Sequence, residues 1–98
     1  MTNVGWTMAI TIGEVATFPH VKADKEQAKK ILEESAEVYA AWELWNQRPW
    51  SESRTNALKD ECADVITAVA NMLAAIGVED FTEYMQACEQ RNHARGRL

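Results

Sequence analysis

The sequence predicts an all-α fold: a helical hairpin followed by a third helix, with a four-helix-bundle-type core completed by oligomerisation. Three observations predict it. Apolar residues recur at helical spacing through two long stretches, one ending near Asn46 and the other near Ile76. Pro49, Ser51 and Gly77 punctuate the chain where such helices would stop and restart. From Val65 to Ile76 only Thr67 and Asn71 carry side-chain polarity, so the second helix needs cover nearly all round, more than two other helices of one chain supply.

Each element follows in order. In the first twenty residues Trp6, Met8, Ile10 and Ile12 alternate as in a strand, whereas Thr11-Ile-Gly-Glu14 resembles a capping box opening a short helix up to Pro19. The helix is the preferred of the two. Asp24 with Gln27 forms a capping box ahead of Ala28, Ile31, Leu32, Ser35, Val38, Tyr39, Trp42 and Trp45, giving a first long helix from about Lys25 to about Asn46. Pro49 disfavours helical backbone at Arg48 and leaves a loop near 47–53, with Ser51 to Ser53 as fresh N-caps. The second helix carries Leu58, Cys62, Val65, Ile66, Val69, Met72, Leu73 and Ile76 on one stripe and ends at Gly77. Its acidic residues are expected on another face. Asp80 and Glu83 predict a third helix through Phe81, Tyr84, Met85 and Cys88 to about Gly96.

Ninety-eight residues, 47% hydrophobic and 26% charged, fit one soluble domain, residues 1–98, near the lower end of comfortable size. Val65 to Val78 is too short to cross a bilayer, so no membrane partner is expected. The N-terminus lacks a basic region ahead of an apolar run, which makes the expected location cytoplasmic. Cys62 and Cys88 read as reduced core thiols. A net charge of -5 argues against unspecific binding to a nucleic acid backbone. Lysines nevertheless gather at Lys22, Lys25, Lys29 and Lys30, and arginines at Arg91, Arg95 and Arg97.

The chemistry lies in two acidic motifs, Glu34-Ser-Ala-Glu37 and Glu61-Cys-Ala-Asp64. Helical residues three apart share a face, so two such helices side by side converge four carboxylates. Mutual repulsion and lost hydration would make that arrangement costly without a cation. Oxygen-only ligation suits a hard ion, Mg2+ or Mn2+, which in turn handles phosphate oxygens. Either motif alone is ordinarily a solvated helix face. What raises the pair above that is the position of Glu61 and Asp64 in the most apolar helix, where an idle charge is costly. A ferritin-like di-iron centre requires Glu-x-x-His on two helices, and here Glu37 and Asp64 stand at the histidine positions. Glu33 and Asp60 are the less constrained acids.

The run Glu33-Glu34-Ser-Ala-Glu37, a gap from Val38 to Asp60, then Glu61-Cys-Ala-Asp64 with Asn71 seven residues on, resembles the MazG-like nucleotide pyrophosphohydrolases of the all-alpha NTP pyrophosphatase superfamily. The tail Arg91-Asn92-His-Ala-Arg95 is similar to the Lys-Asn-x-x-Arg segment that this family places near the triphosphate, with Arg91 where Lys is frequent. The resemblance covers roughly Asp24 to Arg97. It implies Mg2+-dependent hydrolysis of a nucleoside or deoxynucleoside triphosphate to the monophosphate and pyrophosphate, with Glu34, Glu37, Glu61 and Asp64 as metal ligands and catalytic residues. One glutamate, left unassigned, would orient or deprotonate the attacking water.

Asn71 shares a stripe with Glu61 and Asp64; it binds sugar or phosphate, or it is a buried amide satisfied inside the bundle. Arg91, Asn92 and Arg95 are the substrate-binding candidates at the C-terminus, although basic residues in a last helical turn also complement the macrodipole. Lys29 and Lys30 pair with neighbouring glutamates or contact phosphate, the ion pair being the plainer expectation. Trp42, Trp45 and Trp50 cluster near the helix-to-loop junction, a region where aromatic residues of deoxycytidine-triphosphate-selective relatives hold the base. Trp42 reads as packing and Trp50 as the base-stacking candidate. His20 and His93 receive no role. The expected partners are the triphosphate and further copies of the chain, as a homodimer or homotetramer.

Two other readings compete. Phosphoribosyl-ATP pyrophosphohydrolase has similar length, but its second motif is typically followed by Tyr-His, where this chain has Ile66, Thr67 and Ala68, and its first motif usually carries glycine at the position of Ser35. A non-catalytic metal-binding helical interaction module would keep the acids for structure alone.

Overall fold

The structure, a computed structural model, describes residues 8–98. It contains α1 (Lys25–Gln47), α2 (Glu52–Ala75) and α3 (Thr82–Ala94), and no strand among the described residues. The fold is all-helical, a hairpin plus a third helix. Val15–Gly77 forms one compact unit, and the described residues through Glu14 belong with Val78–Leu98 in another.

Within the first unit the capping signals act as the sequence predicts. Asp24 is extended and its Oδ1 accepts the Gln27 N–H at 2.9 Å, opening α1. At the other end the Arg48 N–H bonds the Trp45 carbonyl, and Pro49 prevents continuation. Ser51 Oγ accepts the Arg54 N–H at 3.2 Å to open α2. Past its end Gly77 sits at φ +92°, a left-handed backbone that favours glycine.

The two helices pack along a narrow seam. On α1 the sheltered positions are Gln27, Ile31, Glu34, Val38, Ala41 and Trp45; on α2 they include Leu58, Glu61, Val65, Ala68, Met72 and Ala75. Spacings alternate between three and four, the coiled-coil pattern. This corrects the predicted stripe, because Leu32, Tyr39 and Trp42 on α1 and Cys62, Val69 and Ile76 on α2 are exposed. One helix pair covers only a thin a/d line, and a wider apolar arc stays outside it. The expected separation of acidic and packing faces is corrected too: Glu34 and Glu61 occupy the seam itself.

The short N-terminal helix preferred from Thr11-Ile-Gly-Glu14 does not form. Gly13 takes φ +84°, which a right-handed helix cannot accommodate, and the chain runs irregularly to a turn at Pro19–His20. The strand alternative fails as well over Met8, Ile10 and Ile12, while Trp6 lies outside the described residues. From Val15 onward the segment is fastened to α2 by the Phe18 N–H, which donates to Asn71 Oδ1 at 2.8 Å, and nearby Gln27 Nε2 of α1 donates to the Ala68 carbonyl at 2.9 Å.

In the other unit α3 starts at Thr82, not at a closed Asp80/Glu83 box. The Thr82 N–H and hydroxyl both bond Asp80 Oδ1, at 2.9 and 2.6 Å, and the N-cap residue is Phe81, which makes no side-chain cap bond. Phe81 and Tyr84 stack with centroids 5.5 Å apart. Gly96, at φ +73°, follows the last turn.

Candidate metal centre

Glu34, half-way along α1, and Glu61 with Asp64, on α2, each present a carboxylate oxygen, and the three oxygens lie within 4.8 Å of one another. The helical spacing supplies the Glu61–Asp64 pair, and antiparallel packing brings Glu34 across the seam. Glu37 stands near enough for its carboxylate to act on Glu61. Proton sharing with Glu37, lost hydration and the charges of Glu37, Asp64 and Glu34 push the Glu61 carboxyl above its ordinary range. Three of the four predicted carboxylates therefore converge, and Glu37 is close to Glu61.

Two features separate this cluster from a solvated face. Glu34 is 8% exposed, and its Oε2 together with Glu61 Oε2 is buried with no hydrogen-bond partner among the described residues. A buried acceptor left unmade costs about 1–3 kcal/mol, more when charged. The other oxygen of Glu34 receives Lys30 Nζ at 3.0 Å, one turn earlier on α1. That contact raises the Lys30 ammonium above its usual range, first through the hydrogen bond and then through the carboxylate charge.

An open cleft of about 720 Å³ adjoins the cluster. Glu34, Asp64 and Asn71 line it, with Phe18, His20, Lys22, Gln27, Lys30 and Thr67 among their neighbours. Sequence reasoning missed the contribution of Phe18, His20 and Lys22. The available signal was the Phe18-Pro-His-Val21 turn: Pro favours the first central position, and His20 at φ +67° takes the second. Asn71 is 3% exposed; its Oδ1 is committed to the Phe18 backbone, so this end of the amide holds the cleft wall.

Compared with family models, curated proteins and solved structures, the chain matches none.

Among the remaining predicted residues, Trp50 lies elsewhere in the hairpin unit. Trp50 is 79% exposed in the loop between α1 and α2 and does not line the cleft. Gln47 already stands about 20 Å along the helix from Glu34. Tyr39 and Trp42 stack on each other, centroids 6.0 Å apart. Arg91, Asn92 and Arg95 belong to the unit containing α3. There Asn92 Oδ1 accepts from Arg97 at 3.2 Å, and the Arg95 N–H caps the Arg91 carbonyl. A phosphate-binding role for these three rests on the family resemblance alone. Cys62 is exposed and Cys88 half-buried, both free, so the expectation of two core thiols fails at Cys62. No helix among the described residues is long and apolar enough to cross a membrane.

The donor set fits a hard divalent cation. Three carboxylate oxygens gathered within 4.8 Å of one another are the all-oxygen donors such an ion takes, and Glu34, Glu61 and Asp64 would hold it. A cation would also satisfy the two orphaned oxygens and relieve the repulsion that raises Glu61.

Proposed function

We propose that this chain is a cation-dependent nucleotide pyrophosphohydrolase of the MazG-like kind, cleaving a nucleoside or deoxynucleoside triphosphate to the monophosphate and pyrophosphate. The observation that carries the reading is the meeting of Glu34, Glu61 and Asp64 within 4.8 Å with two buried oxygens that find no hydrogen-bond partner among the described residues. Mg2+ or Mn2+ would be held by Glu34, Glu61 and Asp64, with Glu37 beside them. When bound, the ion supplies charge neutralisation at phosphate oxygens and a lowered pKa for coordinated water.

The chain's own residues do the rest. Glu37, exposed and near enough for its charge to act on Glu61, can take a proton from a water at the cluster's edge. Lys22 and Lys30 place positive charge along the adjoining cleft, where the anionic chain of the substrate would lie. Phe18 and Val21 offer that cleft its apolar wall. Asn71 fixes the wall by holding the Phe18 backbone.

The chain is further proposed to act as a homo-oligomer in the cytoplasm. Leu32, Tyr39, Trp42, Val69 and Ile76 are all exposed on the hairpin, and Ala68 is the one buried apolar residue among those described. Such a surface is better covered by like helices than by water.

The test is direct. Purified protein incubated with Mg2+ and a panel of ordinary and modified triphosphates should release pyrophosphate, and Glu61→Gln combined with Asp64→Asn should abolish the release. Equal release by wild type and the double variant removes these carboxylates from the chemistry. Turnover of phosphoribosyl-ATP alone would transfer the chain to that activity.

A further inference from the structure

We propose that Lys30 couples cation binding to phosphate binding: its ammonium neutralises Glu34 when no cation is present, and a cation arriving at the cluster releases it into the cleft as a phosphate ligand. The inference rests on the pyrophosphohydrolase reading and names the residue that links its two ligands.

Three observations support it. Lys30 Nζ stands 3.0 Å from Glu34 Oε1, so the ammonium and a divalent ion compete for the charge of one carboxylate. The Lys30 side chain is 56% exposed against 10% for Glu34. The lysine can therefore swing while the glutamate is held in the seam. Lys30 also lines the cleft that Glu34 and Asp64 border, beside Lys22 and His20, so a small rotation keeps its charge over the same cavity.

The competition has a definite sign. A cation bound to Glu34 repels an ammonium a few ångströms away, because two positive charges so placed at the margin of a protein are unfavourable. The freed ammonium then finds its best partner in an anion bound next to the cation. By linkage, each ligand strengthens the other. Lys30 thus holds the metal-free site in a charge-balanced form and favours the cation together with phosphate over the cation alone. It is a binding and positioning residue; Lys29, adjacent in sequence, does not line the cleft.

The test uses the full chain with Mn2+ as the metal and inorganic pyrophosphate as the anion. Mn2+ affinity is measured by electron paramagnetic resonance without phosphate, and manganese-pyrophosphate affinity by calorimetry. Lys30→Met should bind Mn2+ alone several-fold more tightly and manganese pyrophosphate about tenfold more weakly, roughly one lost charge-assisted contact. Lys30→Arg should retain both wild-type affinities within a few-fold, and Lys29→Met should change neither. Unchanged Mn2+ affinity in Lys30→Met, or unchanged pyrophosphate affinity, overturns the coupling while leaving the metal centre standing. A wild-type chain with no Mn2+ affinity overturns the metal centre itself.

Discussion

The two halves of the hairpin seam use the same packing geometry with opposite contents. Towards the loop, Val38, Ala41 and Trp45 face α2 around Leu58, and the polar groups there are satisfied. The Arg54 guanidinium donates to the Leu44 carbonyl at 2.6 Å and to Gln47 Oε1 at 3.2 Å, tying the end of α1 to the start of α2. From its middle towards the open end the seam includes Glu34 and Glu61 beside Ile31, Val65 and Ala68, and each of the two acids leaves one buried oxygen without a partner among the described residues. A helix pair that can complete its hydrogen bonds at one end has no structural need to strand carboxylates at the other. The difference marks the acidic half as the candidate binding site and the loop half as the clamp that holds its register.

The largest expected effect breaks the acidic half. Glu34→Gln keeps the shape of the side chain but removes the charge, and pyrophosphate release should fall by about a hundredfold or more, the scale of losing one electrostatic contact in a reacting site. Initial rates at saturating Mg2+ measure this, and an unchanged rate would reduce Glu34 to a packing residue.

Next comes pH. The folded chain holds a proton on Glu61 more tightly than the unfolded chain does. Its contribution to stability is therefore complete below the ordinary value of 4.5 and is lost as pH rises through the elevated folded value. Asp80, lowered by its bonds to Thr82, acts in the opposite direction but only as pH falls towards and below its ordinary value of 3.8. Chelated protein should lose stability between mildly acidic and neutral pH, and saturating Mg2+ should flatten that slope. Denaturant midpoints across this range give the answer; a slope indifferent to Mg2+ would separate Glu61 from any cation.

In the loop half, Arg54→Ala should cost about 1 kcal/mol by deleting the inter-helix bonds, with the Mg2+ response unaltered. A larger change in Mg2+ response than in stability would mean that the two halves are not independent. The smallest effect concerns the cleft wall, where His20→Gly relieves a left-handed backbone and should stabilise the chain by up to about 1 kcal/mol in urea unfolding.

Much of this was legible in the residues. Asp24, Ser51, Pro49 and Gly77 fixed the helix ends to within a residue or two, because capping and φ restrictions act locally. The convergence of Glu34, Glu61 and Asp64 followed from helical spacing and antiparallel packing. What escaped depended on distant contacts. The Asn71–Phe18 bond spans fifty-three positions, and no local rule links an amide in α2 to the N–H before a proline. Cys62, Val69 and Ile76 carry the same periodicity as Val65 and Met72, so pattern alone cannot say which of them one neighbouring helix covers. Thr11 and Glu14 have capping-box spacing, but Gly13 between them takes a left-handed backbone that breaks the helix.

The central claim is that the stranded carboxylates are a cost the protein bears for a cation, and thermal unfolding of wild type and Glu61→Gln at neutral pH tests it most directly. In chelator the variant should melt above wild type, because it lacks the repelled charge. In Mg2+ at a hundred times its dissociation constant wild type should gain on the order of 10 °C and the variant markedly less. A wild type that outlasts the variant in chelator and ignores Mg2+ would contradict the account.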